Sequence, residues 1–238
     1  NGKINWKKNI YKKIYKKIYK NLSIAVYKNK IYVSDNIGFI YAMSLDSGNI
    51  IWIKNHGIPL KSKIKVFEDN IFLINQENRI LSLSIMDGSV SWGIRSVTSF
   101  IKSQNLLSLA ISKHGYIIAS TTSGDIIKIN SNNGDVLWST NTLGSTLEHA
   151  TDFFESSDVV IFKNNIIFST TKSIFSFDFE NAYVNWEKKL SSVATPIIDG
   201  NNIFFVTPNG YFVILDSTSG KIICSTNILK ILNKKKQS

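Results

Sequence analysis

The sequence predicts an all-β protein, a β-propeller of four-stranded antiparallel blades, on three observations. A six-residue motif ending in tryptophan recurs along the chain, and all five tryptophans lie on it. Short runs rich in Ile, Val, Tyr and Phe alternate with turns rich in Gly, Asn and Asp, which is typical of strands joined by hairpins. Four such strands recurring every 40-odd residues describe a propeller blade.

The motif places glycine at its second position and tryptophan at its sixth, and the sixth residues are 46, 40, 46, 48 and 38 residues apart. Two copies depart from it, because Ala182 takes the glycine position in one and Cys224 takes the tryptophan position in the other. A tryptophan side chain offers a large apolar area and one N–H that needs an acceptor, so we expect the motif to dock neighbouring blades together. The predicted docking residues are Trp6, Trp52, Trp92, Trp138, Trp186, Gly48, Gly88, Gly134 and Gly220.

A single propeller domain is predicted over residues 1–238, with about five complete blades. The predicted blades span 22–55, 62–95, 106–141, 157–189 and 193–227. Residues 1–8 are predicted to be the last strand of a preceding blade, which makes the chain an internal portion of a larger propeller. Within the last blade, Asn209-Gly210 predicts a type I′ hairpin turn.

The formal net charge of +11 comes almost wholly from lysine, since only Arg79 and Arg95 among the 28 basic residues are arginine. Arginine is the residue that reads bases and phosphates by bidentate contacts, so this composition argues against nucleic acid as a partner. The segment from Lys12 to Lys20 continues an Ile-Tyr-Lys-Lys pattern that begins at Ile10. A solvated basic connector between blades is the favoured interpretation; the alternative is an amphipathic element in peripheral contact with an anionic membrane surface.

No enzymatic chemistry is predicted, and no catalytic, cofactor-binding or metal-ligating residue is assigned. Cys224 is the single cysteine, and the three histidines His56, His114 and His149 lie at no ligand spacing. The carboxylates occur mostly in turns, where capping of the turn explains them. We therefore expect a protein that is not an enzyme and needs no cofactor.

The best copy of the repeat runs Ala42-x-Ser44-x-x-Ser47-Gly48-x-x-x-Trp52. It resembles the quinoprotein-type (PQQ-like) repeat, which is shared by pyrroloquinoline-quinone dehydrogenases and by the BamB outer-membrane protein assembly factors. The resemblance implies an eight-bladed propeller. For a BamB-like protein it also implies a non-enzymatic scaffold, lipid-anchored at the periplasmic face of the outer membrane, that assists the assembly and insertion of β-barrel proteins.

The resemblance further implies a protein partner, the POTRA domains of the barrel-assembly subunit BamA. Two segments correspond to the loops that make this contact in BamB proteins, one entering the third predicted blade and one preceding the fourth. Their candidate residues are Asn105, Leu106, Leu107, Asp152, Phe153, Phe154, Glu155 and Asp158. An alternative is that Phe153 and Phe154 fill the space between blades while the carboxylates are merely solvated.

Two other functions stay open at this stage. The chain is a fragment of a PQQ-dependent dehydrogenase or of another ligand-binding propeller, with its site in other blades, or it is an extracytoplasmic repeat protein that shares only the fold. The adjacent-cysteine disulfide that the resemblance implies for the dehydrogenases cannot form here, because Cys224 has no cysteine neighbour.

Overall fold

The computed structural model describes residues 2–11, 13–15, 17–95, 106–142, 155–192 and 194–230. These residues form five four-stranded sheets, each an antiparallel meander in which neighbouring strands in sequence are neighbours in space. The all-β class predicted from the sequence is confirmed. The chain divides into two compact units, one made of Asn1–Leu109 with the turn Ser131–Asp135, the other of Ala110–Asn130 with Val136–Ser238.

The strands follow the chain in five groups of four. In the first unit they are β1 (Leu22–Tyr27), β2 (Lys30–Asp35), β3 (Phe39–Ser44), β4 (Ile50–Asn55), β5 (Lys65–Phe67), β6 (Asn70–Ile74), β7 (Arg79–Ser84) and β8 (Val90–Arg95). The third sheet, whose first strand begins at the last residue of the first unit, is β9 (Leu109–Ile111), β10 (Tyr116–Ser120), β11 (Asp125–Asn130) and β12 (Val136–Asn141). The second unit continues with β13 (Val160–Phe162), β14 (Asn165–Ser169), β15 (Ile174–Asp178), β16 (Val184–Lys188), β17 (Ile197–Asp199), β18 (Asn202–Val206), β19 (Tyr211–Asp216) and β20 (Ile222–Asn227). One 3₁₀ turn, Lys13–Tyr15, precedes them.

Four of the five sheets begin three or four residues after the start of the predicted blade. Among the described residues in between, Ser62 and Leu107 pair with each other as an isolated parallel bridge. Residues 2–8, predicted as a strand, form none in the structure. The reason is physical: a strand needs a ladder partner, and no strand of the described residues pairs with this segment.

The core of each unit lies between sheets. The two middle strands of the first four blades bury side chains on both faces, which is why they read as near-continuous apolar runs. In the fifth blade, β18 and β19 alternate buried and partly exposed residues. In the first unit, Tyr32 of β2 packs in one cluster with Leu73 of β6 and Leu81 of β7. In the second unit, Ile118 of β10 packs in one cluster with Phe168 of β14. The outer strands leave their apolar side chains largely exposed.

Each tryptophan of the motif binds the turn that follows the third strand of the next sheet. Its indole N–H donates to a backbone carbonyl of that turn: Trp6 to Leu45 (2.9 Å), Trp52 to Ile85 (3.0 Å), Trp92 to Ser131 (2.9 Å), Trp138 to Phe179 (3.2 Å) and Trp186 to Ser217 (3.1 Å). The acceptor stands at the same place in all five turns. The repeat therefore fixes the position of the carbonyl that accepts each tryptophan N–H.

The motif glycine lies beneath the indole ring. Gly88 has a φ of +71°, and a Cβ added to it would lie 2.7 Å from the Trp52 ring. The residue type is thus required twice, because the left-handed backbone disfavours a side chain and the ring leaves no space for one. Ala182 stands at the equivalent place beside Trp138 and keeps the left-handed conformation, with a φ of 64°.

The Asn209-Gly210 turn differs from the predicted type I′ geometry. Only Gly210 has a positive φ (75°), whereas a type I′ turn requires it at both central residues. Thr207 accepts a hydrogen bond from the Gly210 N–H, so the turn centres on Pro208 and Asn209. The ring of Pro208 fixes a negative φ and favours a type I turn followed by a left-handed glycine.

We expect Gly88→Ala to lower the free energy of unfolding by more than Gly57→Ala does. Both glycines have nearly the same positive φ, but a Cβ at Gly57 would have no atom within 4 Å. Gly57→Ala thus measures the backbone cost alone, about 1–2 kcal/mol, and the excess at Gly88→Ala measures the tryptophan contact. Urea unfolding of both variants tests this, and equal losses would show that the Trp52 contact contributes nothing.

Ala182→Gly is the converse change and is expected to stabilise the protein. It relieves a left-handed alanine, a strain of about 1–2 kcal/mol, and glycine's greater freedom in the unfolded chain offsets part of that gain. Thermal unfolding would show a raised Tm, and a lowered Tm would mean that the Ala182 methyl group stabilises the contact with Trp138.

Candidate functional site

Leu106 and Leu107 lie where the chain enters the third sheet, and their backbone is fixed. The Leu107 N–H donates to the Lys61 carbonyl at 2.7 Å, and Leu107 forms a parallel bridge with Ser62. The Leu107 side chain is buried, whereas 55% of Leu106 is exposed. Of this predicted pair, only Leu106 offers its side chain to a partner.

A cavity of about 440 Å³ lies beside Leu106 in the first unit. Apolar side chains of Leu22, Ile24 and Leu60 line one part of it, and Asp35 and Ser62 line another. Only four of the thirteen lining residues are apolar, so the cavity is suited to receiving an amphipathic side chain from a protein partner.

A recurring buried serine supports this entry segment, and the sequence analysis missed it. The Ser62 hydroxyl accepts a hydrogen bond from the Ile74 N–H (2.8 Å), and Ser157 does the same for Ser169 (3.0 Å), each across an interval of twelve residues. Ser108 and Ser192 are buried at the corresponding entries of two other sheets. The serine precedes the sixth position of the motif in its own blade by 30, 30, 29 and 32 residues, so an alignment on tryptophan contains the signal that could have found it.

The predicted acidic segment is only partly described. Glu155 is exposed, and the Asp158 carboxylate accepts a hydrogen bond from the Thr195 hydroxyl at 3.0 Å. Asn105, Asp152, Phe153 and Phe154 lie outside the described residues. Leu106 and Leu107 belong to the first unit, whereas Glu155 and Asp158 belong to the second.

The basic connector is held to the first sheet by tyrosines. The Tyr11 hydroxyl donates to the buried Asp35 carboxylate at 2.8 Å, and its ring packs edge-on against Tyr41. The Tyr15 ring packs in the same way against Phe39. Burial, reinforced by the Asp35 carboxylate, raises the pKa of Tyr11 far above its usual range, and burial raises that of Tyr41 to about 12. Both hydroxyls therefore stay protonated, and the Tyr11 hydroxyl remains a hydrogen-bond donor.

Lys20 secures the other end of this connector. Its ammonium group donates to the carbonyls of Tyr15 and Ile18 and lies 4.8 Å from the centre of the Tyr11 ring. The described connector thus follows the first sheet as the favoured interpretation requires. Among its described residues, Lys13–Tyr15 is the one helical turn.

Lys128 is an unusual residue in the second unit, because it places a buried ammonium group where the repeat usually has alanine. Its Nζ donates to the Phe179 carbonyl (3.0 Å) and to the Glu180 carboxylate (2.6 Å), and it lies 4.0 Å from the centre of the Phe179 ring. The Phe179 carbonyl also accepts the Trp138 N–H. The ammonium is thus fully paired, which is what makes its burial tolerable.

Among the described residues, no group of three or more His, Cys, Asp or Glu side chains comes together in a way that could hold a metal ion. In the same part of the chain, no helix has the length and apolarity needed to cross a membrane.

The fold and the tryptophan contacts define a β-propeller of the PQQ-like repeat class. A family model described as outer membrane protein assembly factor BamB matches residues 1–226, and the chain belongs to that family. The BamB of Shewanella oneidensis is 25% identical over 229 residues, covering 85% of this chain and 55% of the relative. This chain therefore spans little more than half the length of such curated relatives.

Two solved structures show the same fold. BamB from Moraxella catarrhalis superposes with a TM-score of 0.74 at 12% identity, covering 87% of this chain and 64% of that one. The quinohemoprotein alcohol dehydrogenase from Comamonas testosteroni superposes with a TM-score of 0.65 at 13% identity, covering 86% of this chain and 42% of the enzyme. The predicted propeller fold is confirmed, and at these identities the likeness concerns the fold alone.

We expect Glu180→Gln to lower the free energy of unfolding by about 1 kcal/mol, because it removes the carboxylate from a buried ammonium while the carboxylate itself is 65% exposed and screened by solvent. Lys128→Met, which removes the charge itself, should cost less, and Lys128→Met should rescue Glu180→Gln in the double variant. Chemical unfolding measures all three. Asp69→Asn is the matched control: it breaks the exposed Lys28–Asp69 pair (3.2 Å) and should leave stability unchanged. Equal losses in the two single variants without rescue would contradict a paired buried charge.

Proposed function

We propose that the protein is a non-enzymatic scaffold that assists the assembly and insertion of β-barrel proteins into the outer membrane. The observation that carries the proposal is the match of the BamB family model to residues 1–226, nearly the whole chain. The contacts described above suit a scaffold, because hydrogen bonds and docked tryptophans fix the sheets from which the loops project.

The proposed partner is a POTRA domain of BamA, bound through the segment containing Leu106. An exposed leucine beside a cavity of about 440 Å³, on a backbone held by Lys61, is a rigid apolar anchor of the kind that dominates protein interfaces. Leu107 serves as its buried support rather than as a contact. Glu155 and Asp158, which belong to the second unit, are proposed as separate polar contacts with the partner.

The proposed location is the periplasmic face of the outer membrane, with a lipid anchor in the full-length protein and peripheral contact with an anionic membrane surface. The family match supports this location. The exposed lysines and isoleucines of the connector support the membrane contact.

A second candidate function is that of a portion of a PQQ-dependent dehydrogenase. Its ground is the resemblance of the repeat to that of such dehydrogenases, because the superposition on the Comamonas enzyme concerns the fold alone. Turnover of alcohols by the full-length protein supplied with the quinone and calcium would establish this function and overturn the scaffold proposal.

We expect Leu106→Asp to weaken binding of the chain to the isolated POTRA domains by ten-fold or more, a loss of roughly 1.4 kcal/mol per factor of ten. A buried carboxylate without a partner is unfavourable in an apolar contact. Isothermal titration calorimetry measures the affinity, and circular dichroism confirms that the variant is folded.

Leu137→Asp is the matched control, since Leu137 is a comparably exposed leucine on an outer strand. It should bind as the unaltered chain does. Equal affinity of the Leu106→Asp variant and the unaltered chain would remove Leu106 from the interface.

A further inference from the structure

The positive charge of the chain is concentrated at its start. Residues 1–34 contain ten lysines and no carboxylate, and all 17 acidic residues lie at Asp35 or beyond. The other 204 residues hold 18 basic and 17 acidic side chains, so their net charge is only +1. A general excess of lysine in the composition does not account for this segregation.

The tyrosine contacts determine which side chains of this segment face outward. Tyr11 and Tyr15 pack on the first sheet, and Lys20 binds backbone carbonyls of the connector itself. Ile14 and Tyr19 are then left 77% and 84% exposed, and Ile4 is 75% exposed. We call the exposed set the basic face; it consists of Lys3, Ile4, Lys7, Lys8, Lys13, Ile14, Lys17 and Tyr19.

We propose that the basic face is a membrane-binding surface that lies on anionic phospholipid headgroups, with Ile14 and Tyr19 inserted at the boundary with the acyl chains. The inference deepens the peripheral membrane contact and rests on the proposed location. Lysines alternating with isoleucine and tyrosine combine attraction to anionic lipid with a modest apolar insertion, and tyrosine is favoured at the headgroup level.

Two features favour a lipid surface over an acidic protein. The cations of the basic face are all lysines, compact point charges that suit a fluid array of headgroups better than a fixed set of carboxylates, for which the arginine fork is the better match. The exposed apolar side chains, Ile4, Ile14, Ile18 and Tyr19, are also interspersed with lysines along the chain, whereas a protein interface would gather them into a packed centre.

The expected binding is additive and sensitive to salt. Each lysine near an anionic bilayer changes the partition coefficient by about five-fold, the equivalent of ~1 kcal/mol. Removing two of them should therefore lower binding by roughly 25-fold. Raising the ionic strength should weaken binding, because the headgroup field is screened within about 10 Å at 0.1 M salt.

The test is co-sedimentation of the full chain with vesicles of phosphatidylcholine alone and of phosphatidylcholine mixed with phosphatidylglycerol. We expect binding to the mixed vesicles only, a loss of roughly 25-fold in Lys13→Gln/Lys17→Gln, and a several-fold loss in Ile14→Ser, which leaves Tyr19 in place because Tyr19 also lines the cavity beside Leu106. The matched control is Lys189→Gln/Lys221→Gln, which removes the same charge from two exposed lysines elsewhere. The control should bind as the unaltered chain does.

The inference is overturned by equal binding to both vesicle types, by equal losses in the two lysine pairs, or by no loss in Ile14→Ser. Affinity for the POTRA domains, measured on the same variants, separates this inference from the proposed function. Variants that keep POTRA binding while losing the vesicles support the lipid surface. A chain that binds POTRA domains but no vesicles overturns the lipid surface alone, and one that binds vesicles but no POTRA domain overturns only the proposed partner. If Lys13→Gln/Lys17→Gln weakens POTRA binding and vesicles are ignored, the basic face belongs to an acidic protein instead.

Discussion

The stacking of the sheets depends on one repeated contact, an indole ring lying on a left-handed turn residue while its N–H donates to a carbonyl of the same turn. The contact joins sequence to packing, because the turn that accepts a tryptophan precedes the strand that supplies the next one. Trp52 follows the Gly48 turn and binds the Gly88 turn. A blade with both faces buried has no stable existence alone, so this contact sets the order and spacing of its neighbours.

The same contact explains why the fold could be predicted from the sequence. Its requirements are local: a glycine at positive φ in a turn, and a tryptophan four residues later on the strand that follows this turn. What could not be predicted depends on residues distant along the chain. Tyr11 donates to Asp35 across 24 residues, between a connector outside the repeat and the first sheet. Ser62 and Ser157, by contrast, recur with the repeat and accept their hydrogen bonds across the same interval of twelve residues. Residues 2–8 form no ladder within the described part of the chain, and the assignment of residues 1–8 to the last strand of a preceding blade stays a prediction.

The copies that depart from the motif show how the contact tolerates change. Beside Trp138, alanine replaces glycine at Ala182, and the indole hydrogen bond is the longest of the five at 3.2 Å. Lys128 lies at the same contact. Its ammonium group donates to the Phe179 carbonyl, which also accepts the indole N–H, and to the Glu180 carboxylate. From the sequence alone, a lysine at a buried position of the repeat would be judged destabilising. In the structure it shares an acceptor with the tryptophan and bridges two sheets of the second unit.

A contact that repeats in every blade cannot by itself distinguish one propeller from another, which is why the same fold superposes on an assembly factor and on a dehydrogenase. Features that distinguish one propeller from another must therefore lie at positions that the repeat does not determine. In this chain two such features stand out, the exposed Leu106 on a fixed entry segment and the acid-free basic face held by Tyr11 and Tyr15. In both cases, contacts of neighbouring residues hold the backbone in place, so the exposed side chains cannot turn inward. The rigidity that the tryptophan contact provides is therefore the condition for each surface to present a fixed pattern of apolar and charged groups.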